Sequence, residues 1–283
     1  MTAVDLTRAG LQTLEHGAAA LLRSLDAVFE GWGTSDGADS MIMPALLAVE
    51  DLADLDVYDN FPHQALVVSP LDLTRRDGTA QRGRTRFVPD ELVPATLALP
   101  TAACFAVYLH MRGRHLEDGR RITVLGRCFR QEEHYEGLRR LMGFHMREIV
   151  ALGTREFITE HLRLYAERIE AFAGELGLSM RIEAASDPFF DRGGQRALLQ
   201  RLSPVKHEFL VGELAIASVN IHRNFFGERC DIRLTATGEL AFTGCVAFGL
   251  ERWLAVLWER YGDWTTAAQA LSQAARPRVE EAP

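Results

Sequence analysis

Two short segments of this 283-residue chain carry the residues best equipped for chemistry. The first is Phe129-Arg130-Gln131-Glu132, followed by Arg139-Arg140 and then by Phe144 and Glu148. If this segment is a strand, Arg130 and Glu132 leave it on the same face. They then form either a binding pair or a surface ion pair of small energetic weight. The second segment is Gly244-Cys245-Val246-Ala247-Phe248-Gly249-Leu250-Glu251-Arg252. Its small residues let a backbone approach a flat ligand, and Arg252 stands where a helix begins. A cation is unfavourable at a helix N-terminus, so Arg252 requires an anion, either Glu251 or a phosphate. Lys206 is the only lysine; every other positive side chain is arginine, which makes planar bidentate anion contacts that lysine cannot. A GC-rich genome would produce the same bias.

The elements that must position these groups alternate between strand and helix patterns. Residues 17–29 form an amphipathic pattern that Gly31 and Gly33 are expected to end. Arg121–Glu133 and Gly143–Gly153 alternate as strands around a polar loop at 134–142. Thr154 is placed to cap a helix over about 155–175, with Phe157, Leu162, Leu164, Tyr165, Ile169 and Phe172 on its apolar side. Strands follow at Met180–Ala185, Glu208–Val211, Leu214–Ile221, Cys230–Thr235 and Glu239–Phe248, the last two joined across Thr237-Gly238. A final helix from Gly249 carries Leu250, Trp253, Leu254, Leu257 and Trp258 on one side. Strands in succession without crossover helices predict an α+β fold, an antiparallel β-sheet flanked by helices.

Composition narrows the class further. The chain is 47% apolar and 25% charged, the profile of a soluble globular protein, and length alone allows one large domain or two small ones. The formal net charge of −8 argues against a general attraction to nucleic acid. Asp5, Arg8 and Glu15 interrupt the N-terminal region, so no secretory apolar core is expected. Pro94 and Pro100 break the most apolar stretch, Leu92 to Leu109, so no membrane span is expected. The four cysteines, Cys104, Cys128, Cys230 and Cys245, form no CxxC pair and are read as reduced thiols or metal ligands of a cytoplasmic protein.

In order and in context, the two segments resemble motifs 2 and 3 of class II aminoacyl-tRNA synthetases: Phe129–Glu132 matches FRxE and Gly249–Arg252 matches GxER, with a weak motif 1 at Met41-Ile42-Met43-Pro44. The resemblance covers about residues 30–265 and implies the class II catalytic fold as a single domain over 1–283, with an N-terminal helix at about 10–30 and a flexible tail at about 276–283. It implies that Arg130 holds the α-phosphate of ATP and the substrate carboxylate, and that Glu132 accepts from the adenine amino group. Arg139 or Arg140 would reach the β- and γ-phosphates, and Arg252 would stack on adenine and pair with the γ-phosphate. Mg²⁺ would accompany ATP, with Glu213 as candidate ligand assisted by Ser218, or with Glu213 as a plain exposed edge carboxylate. Lys206 would help place substrate or pyrophosphate, or pair with Glu208 on the same strand face. A homodimer through the motif 1 region is implied as well.

A further resemblance separates the class II families. Leu99-Pro100-Thr101-Ala102-Ala103-Cys104, Met146-Arg147-Glu148 and Thr243-Gly244-Cys245 resemble the zinc site of atypical archaeal seryl-tRNA synthetases. Cys104, Glu148 and Cys245 would hold one Zn²⁺ per chain and the substrate amine would fill the open position, the arrangement of a working zinc centre. Cys128 and Cys230 are read as small buried hydrophobes. The large N-terminal tRNA-binding extension of those enzymes is not expected here. The chain is most similar to the amino acid:[carrier protein] ligases through Phe61-Pro62-His63, Ala102-Ala103-Cys104, Asp187-Pro188-Phe189-Phe190 and Asn220-x-His222 followed by Phe226-Gly227. It departs from them at Phe105-Ala106-Val107-Tyr108-Leu109, at His134-Tyr135-Glu136 and at Asp191.

The implied activity is ATP-dependent activation of a small amino acid, of glycine or alanine type, as its adenylate. Transfer follows to the phosphopantetheine thiol of an acyl or peptidyl carrier protein. The implied substrate-binding set is Arg130, Ser218, Asn220 and Lys206; no tRNA and no membrane partner is expected. The alternatives are transfer to tRNA or a small-molecule acceptor, and a non-catalytic amino-acid-binding paralogue. An acidic carrier protein would need a local basic surface, for which Arg112, Arg114, Arg120 and Arg121 are the candidates.

Overall fold

A computed structural model describes residues 10–75, 84–187, 189–191, 193 and 205–276. Asp5, Arg8, Pro188 and the tail from residue 277 lie outside the described residues. The chain enters through helix α1 (His16–Ser35), whose Leu21, Leu22, Leu25 and Phe29 are buried. Gly31 and Gly33 do not end it. Gly33 is a contact glycine, since a Cβ there would meet the Thr123 side chain at 3.1 Å. The chain turns instead at Gly37, where φ is +81°, a conformation open to glycine at little steric cost.

Strand β1 (Asp39–Met41) follows, then β2 (Leu47–Ala48), the short helices α2 (Val49–Asp54) and α3 (Val57–Asn60), β3 (Leu66–Val68) and β4 (Leu97–Leu99). β2, β4 and β3 form a small antiparallel sheet in that order. Helix α4 (Cys104–His110) and β5 (His115–Leu116) lead into the long strands β6 (Arg120–Phe129) and β7 (Gly143–Gly153). Helix α5 (Arg155–Glu175) is capped as expected, the Thr154 hydroxyl accepting from the Phe157 N–H. The chain continues through β8 (Met180–Ala185), β9 (Lys206–Val211), β10 (Leu214–Arg223), α6 (Phe225–Arg229), β11 (Arg233–Leu234) and β12 (Phe242–Gly249). Helices α7 (Leu250–Tyr261) and α8 (Trp264–Ala274) close the described chain.

The central sheet has seven strands in the order β1-β6-β7-β12-β10-β9-β8. All neighbours are antiparallel except the edge pair β1 and β6, which runs parallel. The predicted α+β class therefore holds, with one parallel edge pair. Successive strand residues face opposite sides, and the core divides accordingly. Ile149, Val246 and Phe248 pack under α1, α5, α7 and α8, whereas Val150, Leu152 and Cys245 pack on the other side with α4 and α6.

Several local expectations are corrected. The strand expected over Arg121–Glu133 stops at Phe129. Beyond it the Arg130 N–H donates to the Met142 carbonyl and the Gln131 N–H to the Gln64 carbonyl, so the chain leaves the ladder. The strand expected over Cys230–Thr235 reduces to β11, which pairs with β5. The turn at Thr237-Gly238 does form, with Gly238 at φ +71° and the Leu234 N–H on the Glu239 carbonyl. Trp258 is 43% exposed rather than packed beneath α7; it meets Trp264 across the break at Gly262. The expected arginine patch is largely neutralised: Arg112 pairs with Asp51 and Asp54, and Arg120 with Asp39. Arg121 lies over the Phe157 ring and donates to His161. Among the described residues no helix is long and apolar enough to cross a membrane.

His161 yields a stability prediction. It is wholly buried on α5, donating from Nε2 to the Ile149 carbonyl while Nδ1 receives Arg121. Burial is the main reason its pKa falls from 6.5 to about 4. The unfolded chain therefore takes up this proton first, so His161 makes stability fall as pH drops from 6.5 towards 4, by roughly 3 kcal/mol over the window. Urea unfolding of wild type and His161→Gln across that range is expected to show a shallower pH slope in the variant; equal slopes would refute the assignment.

Candidate functional site

The register of four adjacent strands assembles one polar face. Glu148 on β7 lies opposite Ala247 on β12, Cys245 opposite Asn220 on β10, and Ser218 and Asn220 opposite Glu208 and Lys206 on β9. Cross-strand partners share a face, so these residues all look towards α4. That helix begins at Cys104, directly after the Pro100-Thr101 turn.

Cys104, Glu148 and Cys245 converge there. All three are buried, and one ligand atom from each lies within 4.8 Å of the others. Glu148 Oε1 accepts from the Ala103 N–H at 2.8 Å and the Cys104 N–H at 3.3 Å. Its other oxygen is buried with no hydrogen-bond partner among the described residues, a costly state for a carboxylate. Burial raises the Glu148 pKa. The Cys104 thiol is pushed up by its contact with Cys245, by burial and by Glu148. Three acids crowded into dry surroundings suppress one another's ionisation. A divalent cation removes that conflict and satisfies the orphaned oxygen, and two sulfurs with one carboxylate suit zinc. The donor set therefore fits the metal that the sequence implies. Cys128 and Cys230 are buried thiols of the core, as expected.

Beside this cluster lies an arginine-lined cavity that includes Arg130, Glu132, Arg140, Glu208, Ser218 and Arg252. Arg130 and Glu132 reach it from the irregular chain after β6, not from two strand positions. Arg130 Nε donates to the Thr101 carbonyl at 3.0 Å, and its guanidinium lies 5.2 Å from the centre of the Phe144 ring. Glu132 accepts from Arg140 at 2.9 Å. Arg139 also lines the cavity, and it pairs with Glu136 and with Glu259 of α7, at 3.2 and 2.7 Å.

Arg252 is anchored by carbonyls, Nε on Arg139 and an Nη on Ala215 at 3.0 and 2.9 Å. Burial, with Arg130 nearby, brings its pKa down to about 10. The sequence offers Glu251 as its counter-charge, but the structure gives Glu251 to His145, at 2.6 Å from Nδ1 and 2.8 Å from the backbone N–H.

Glu213 is a second correction. It lies at the turn between β9 and β10, its side chain 86% exposed and paired with Arg181 at 3.0 Å, outside the arginine-lined cavity. Glu208 does line the cavity, with Glu132 and Glu251; the sequence showed it only as a possible partner of Lys206. The two lie 3.0 Å apart. Their spacing of two on a strand was the available signal. Thr101, whose carbonyl fixes Arg130, carried none.

Two further cavities continue from the first. One lies over Cys104, Glu148 and Cys245 and shares Arg130, Lys206 and Ser218 with the arginine-lined cavity. The other is aromatic, lined by Phe61, Phe105, Phe189, Phe225 and Phe226, and reaches the metal-site cavity at Asn220 and His222. Lys206 borders all three, its ammonium also 3.5 Å from Asp187.

No protein-family model matches the chain. It is 35% identical over 238 residues to amino acid--[acyl-carrier-protein] ligase 1 of Bradyrhizobium diazoefficiens, a match taking in 80% of this chain and 72% of that protein. It is 37% identical over 182 residues to ligase 2 of the same organism, covering 61% of this chain and 54% of the relative. The M. kandleri SerRS, solved in complex with A. aeolicus tRNASec, superposes with a TM-score of 0.77 over 94% of this chain at 20% identity. This chain spans 56% of that synthetase, whose likeness shows the class II synthetase catalytic fold. By sequence, the chain belongs to the amino acid--[acyl-carrier-protein] ligase family.

Proposed function

We propose that this chain activates a small amino acid with ATP and transfers it to the phosphopantetheine thiol of a carrier protein. One observation carries the reading: an arginine-lined cavity and a buried Cys₂Glu cluster adjoin, with Arg130 bordering both. Cys104, Glu148 and Cys245 would hold one zinc ion, which when bound supplies an open coordination position for the α-amine and so favours amino acids over hydroxy acids.

From its place between the cavities, Arg130 clamps the carboxylate against the α-phosphate of ATP. The carboxylate oxygen bonds to phosphorus as pyrophosphate leaves. Such a step needs positioning and charge neutralisation more than a protein nucleophile. Glu132, steadied by Arg140, receives the adenine amino group, and Arg252 stacks on the base and meets the γ-phosphate. Arg139 reaches the terminal phosphates by leaving Glu259. Glu208 and Ser218, cross-strand neighbours facing the nucleotide cavity, supply oxygen ligands for the Mg²⁺ that accompanies ATP. Asn220 and Lys206 border the amino-acid cavity. With ATP and the amino acid in place, the aromatic cavity is the remaining approach for the acceptor thiol, whose sulfur bonds to the carbonyl carbon as AMP leaves.

The net charge of −8 supports an acceptor other than tRNA. Ile42, wholly exposed just after β1, and Leu125, 38% exposed on β6, support a homodimer through that edge. One domain of a cytoplasmic enzyme completes the reading.

Amino-acid-dependent ATP–pyrophosphate exchange over a panel of amino acids, followed by thioester formation on holo carrier proteins, tests the reading. Exchange with glycine or alanine and a labelled carrier are expected. Aminoacylated tRNA in place of a labelled carrier would overturn it. Arg252→Ala is expected to raise the KM for ATP by roughly 10- to 100-fold, the worth of hydrogen bonds to a charged group, with metal content unchanged. An unaltered KM in the exchange assay would remove Arg252 from the nucleotide site.

A further inference from the structure

The two thiols of the buried cluster have unequal surroundings. Cys245 Sγ has two side-chain nitrogens beside it: Asn220 Nδ2, which donates to it at 3.5 Å, and His222 Nε2 at 3.9 Å. Asn220 is steadied by its second bond, to the Ser218 hydroxyl at 3.1 Å. His222 is fixed from behind, with the Tyr108 hydroxyl 3.2 Å from its Nδ1.

Tyr108 is in turn immobile. It is wholly buried and stacked on Phe226, centroids 4.0 Å apart and planes 12° apart. The His222 ring meets Phe226 edge-on at 5.0 Å and Tyr108 edge-on at 5.8 Å. Two rings therefore set the plane of the imidazole, and one hydroxyl sets its rotation. The arrangement spans three elements, α4, β10 and α6, which meet beside β12.

A ring nitrogen facing a thiolate must carry its hydrogen, because a lone pair directed at the sulfur would be repelled. Nε2 is then the protonated nitrogen of a neutral ring and Nδ1 accepts from the Tyr108 O–H. We propose that His222 is a positioning residue for Cys245: held by Tyr108, it donates Nε2–H to the sulfur and fixes this thiolate in its metal-binding orientation. Groups that orient a ligand from outside the coordination sphere commonly change metal affinity 10- to 100-fold.

The inference rests on the metal-centre reading above, and the test separates the two. Metal-free full-length protein is titrated with Zn²⁺ against a chromophoric chelator, and with Co²⁺ while the thiolate-to-cobalt absorption band is recorded. His222→Leu removes the donor and is expected to weaken Zn²⁺ binding about 10- to 100-fold and to shift the cobalt band. His222→Gln returns an amide N–H near the Nε2 position and is expected to recover most of the affinity. Tyr108→Phe keeps the stack on Phe226 but releases the imidazole. It is expected to shift the cobalt band in the same direction as His222→Leu, and it carries the test if the leucine variant does not fold. Wild-type affinity and an unshifted band in both His222→Leu and Tyr108→Phe would overturn the positioning role and leave the metal centre standing. Failure of the wild type to bind one equivalent of Zn²⁺ would overturn both.

Discussion

Cys245→Ala is expected to remove the bound metal and amino-acid activation together. Cys104, Glu148 and Cys245 are the three protein groups at that centre, all buried, so no solvent-exposed side chain of the cluster stands ready as a substitute. Zinc sites that drive folding contribute about 10–16 kcal/mol of apparent binding free energy. Shared among three ligands, one thiolate accounts for roughly 3–5 kcal/mol, or about 10²–10⁴-fold in affinity. Zinc content measured on the purified variant is expected to fall from one equivalent towards zero, and pyrophosphate exchange to fall with it. The fold should survive, because Cys245 sits on β12 between two long antiparallel partners, β7 and β10, and alanine fits a strand interior. A variant that loses zinc yet activates its amino acid at the wild-type rate would detach the metal from the reaction.

Arg130→Ala is expected to produce the complementary result, full zinc content with exchange depressed by about 10²–10³-fold, the usual cost of losing one aimed donor at a site of developing charge. Arg130 borders both the arginine-lined cavity and the cavity over the Cys₂Glu cluster, and its Nε bond to the Thr101 carbonyl orients the fork. Lysine is a poor replacement, because it lacks the planar pair of donors and the Nε–H that meets Thr101. Arg130→Lys is therefore expected to remain at least tenfold below wild type in kcat/KM. Near-normal exchange by the lysine variant would reduce Arg130 to a point charge.

The two variants together read out a division visible in the geometry. Zinc content is expected to follow the cysteines, and phosphate chemistry the arginines. Arg130 should affect both substrates because it stands between their cavities.

The amino-acid sequence determined much of this protein by local rules. Alternation located β7 and β8 residue for residue, and Thr154 marked the start of α5 because a hydroxyl there meets an otherwise unsatisfied N–H. The FRxE and GxER segments identified the arginines, since residue type and order survive in sequence without any geometry. Spacing of two on a strand paired Lys206 with Glu208.

Only the tertiary structure decided the rest. Gly33 reads locally as a helix stop, yet it is a contact point with Thr123 on β6. Glu213 and Glu208 are both carboxylates near one β-turn; the turn leaves Glu213 exposed against Arg181, whereas register opposite Ser218 puts Glu208 in the arginine-lined cavity. Arg130 and Glu132 share a cavity although β6 ends before them, because loop hydrogen bonds to Gln64 and Met142 set their path. The three residues that could hold a metal come from α4, β7 and β12, and no local periodicity links them. Antiparallel pairing brings Glu148 and Cys245 onto one face, and the packing of α4 against that face supplies Cys104. Non-local contacts of this kind are a property of the folded sheet, so residue types announced the chemistry and the sheet register fixed which copies of those residues perform it.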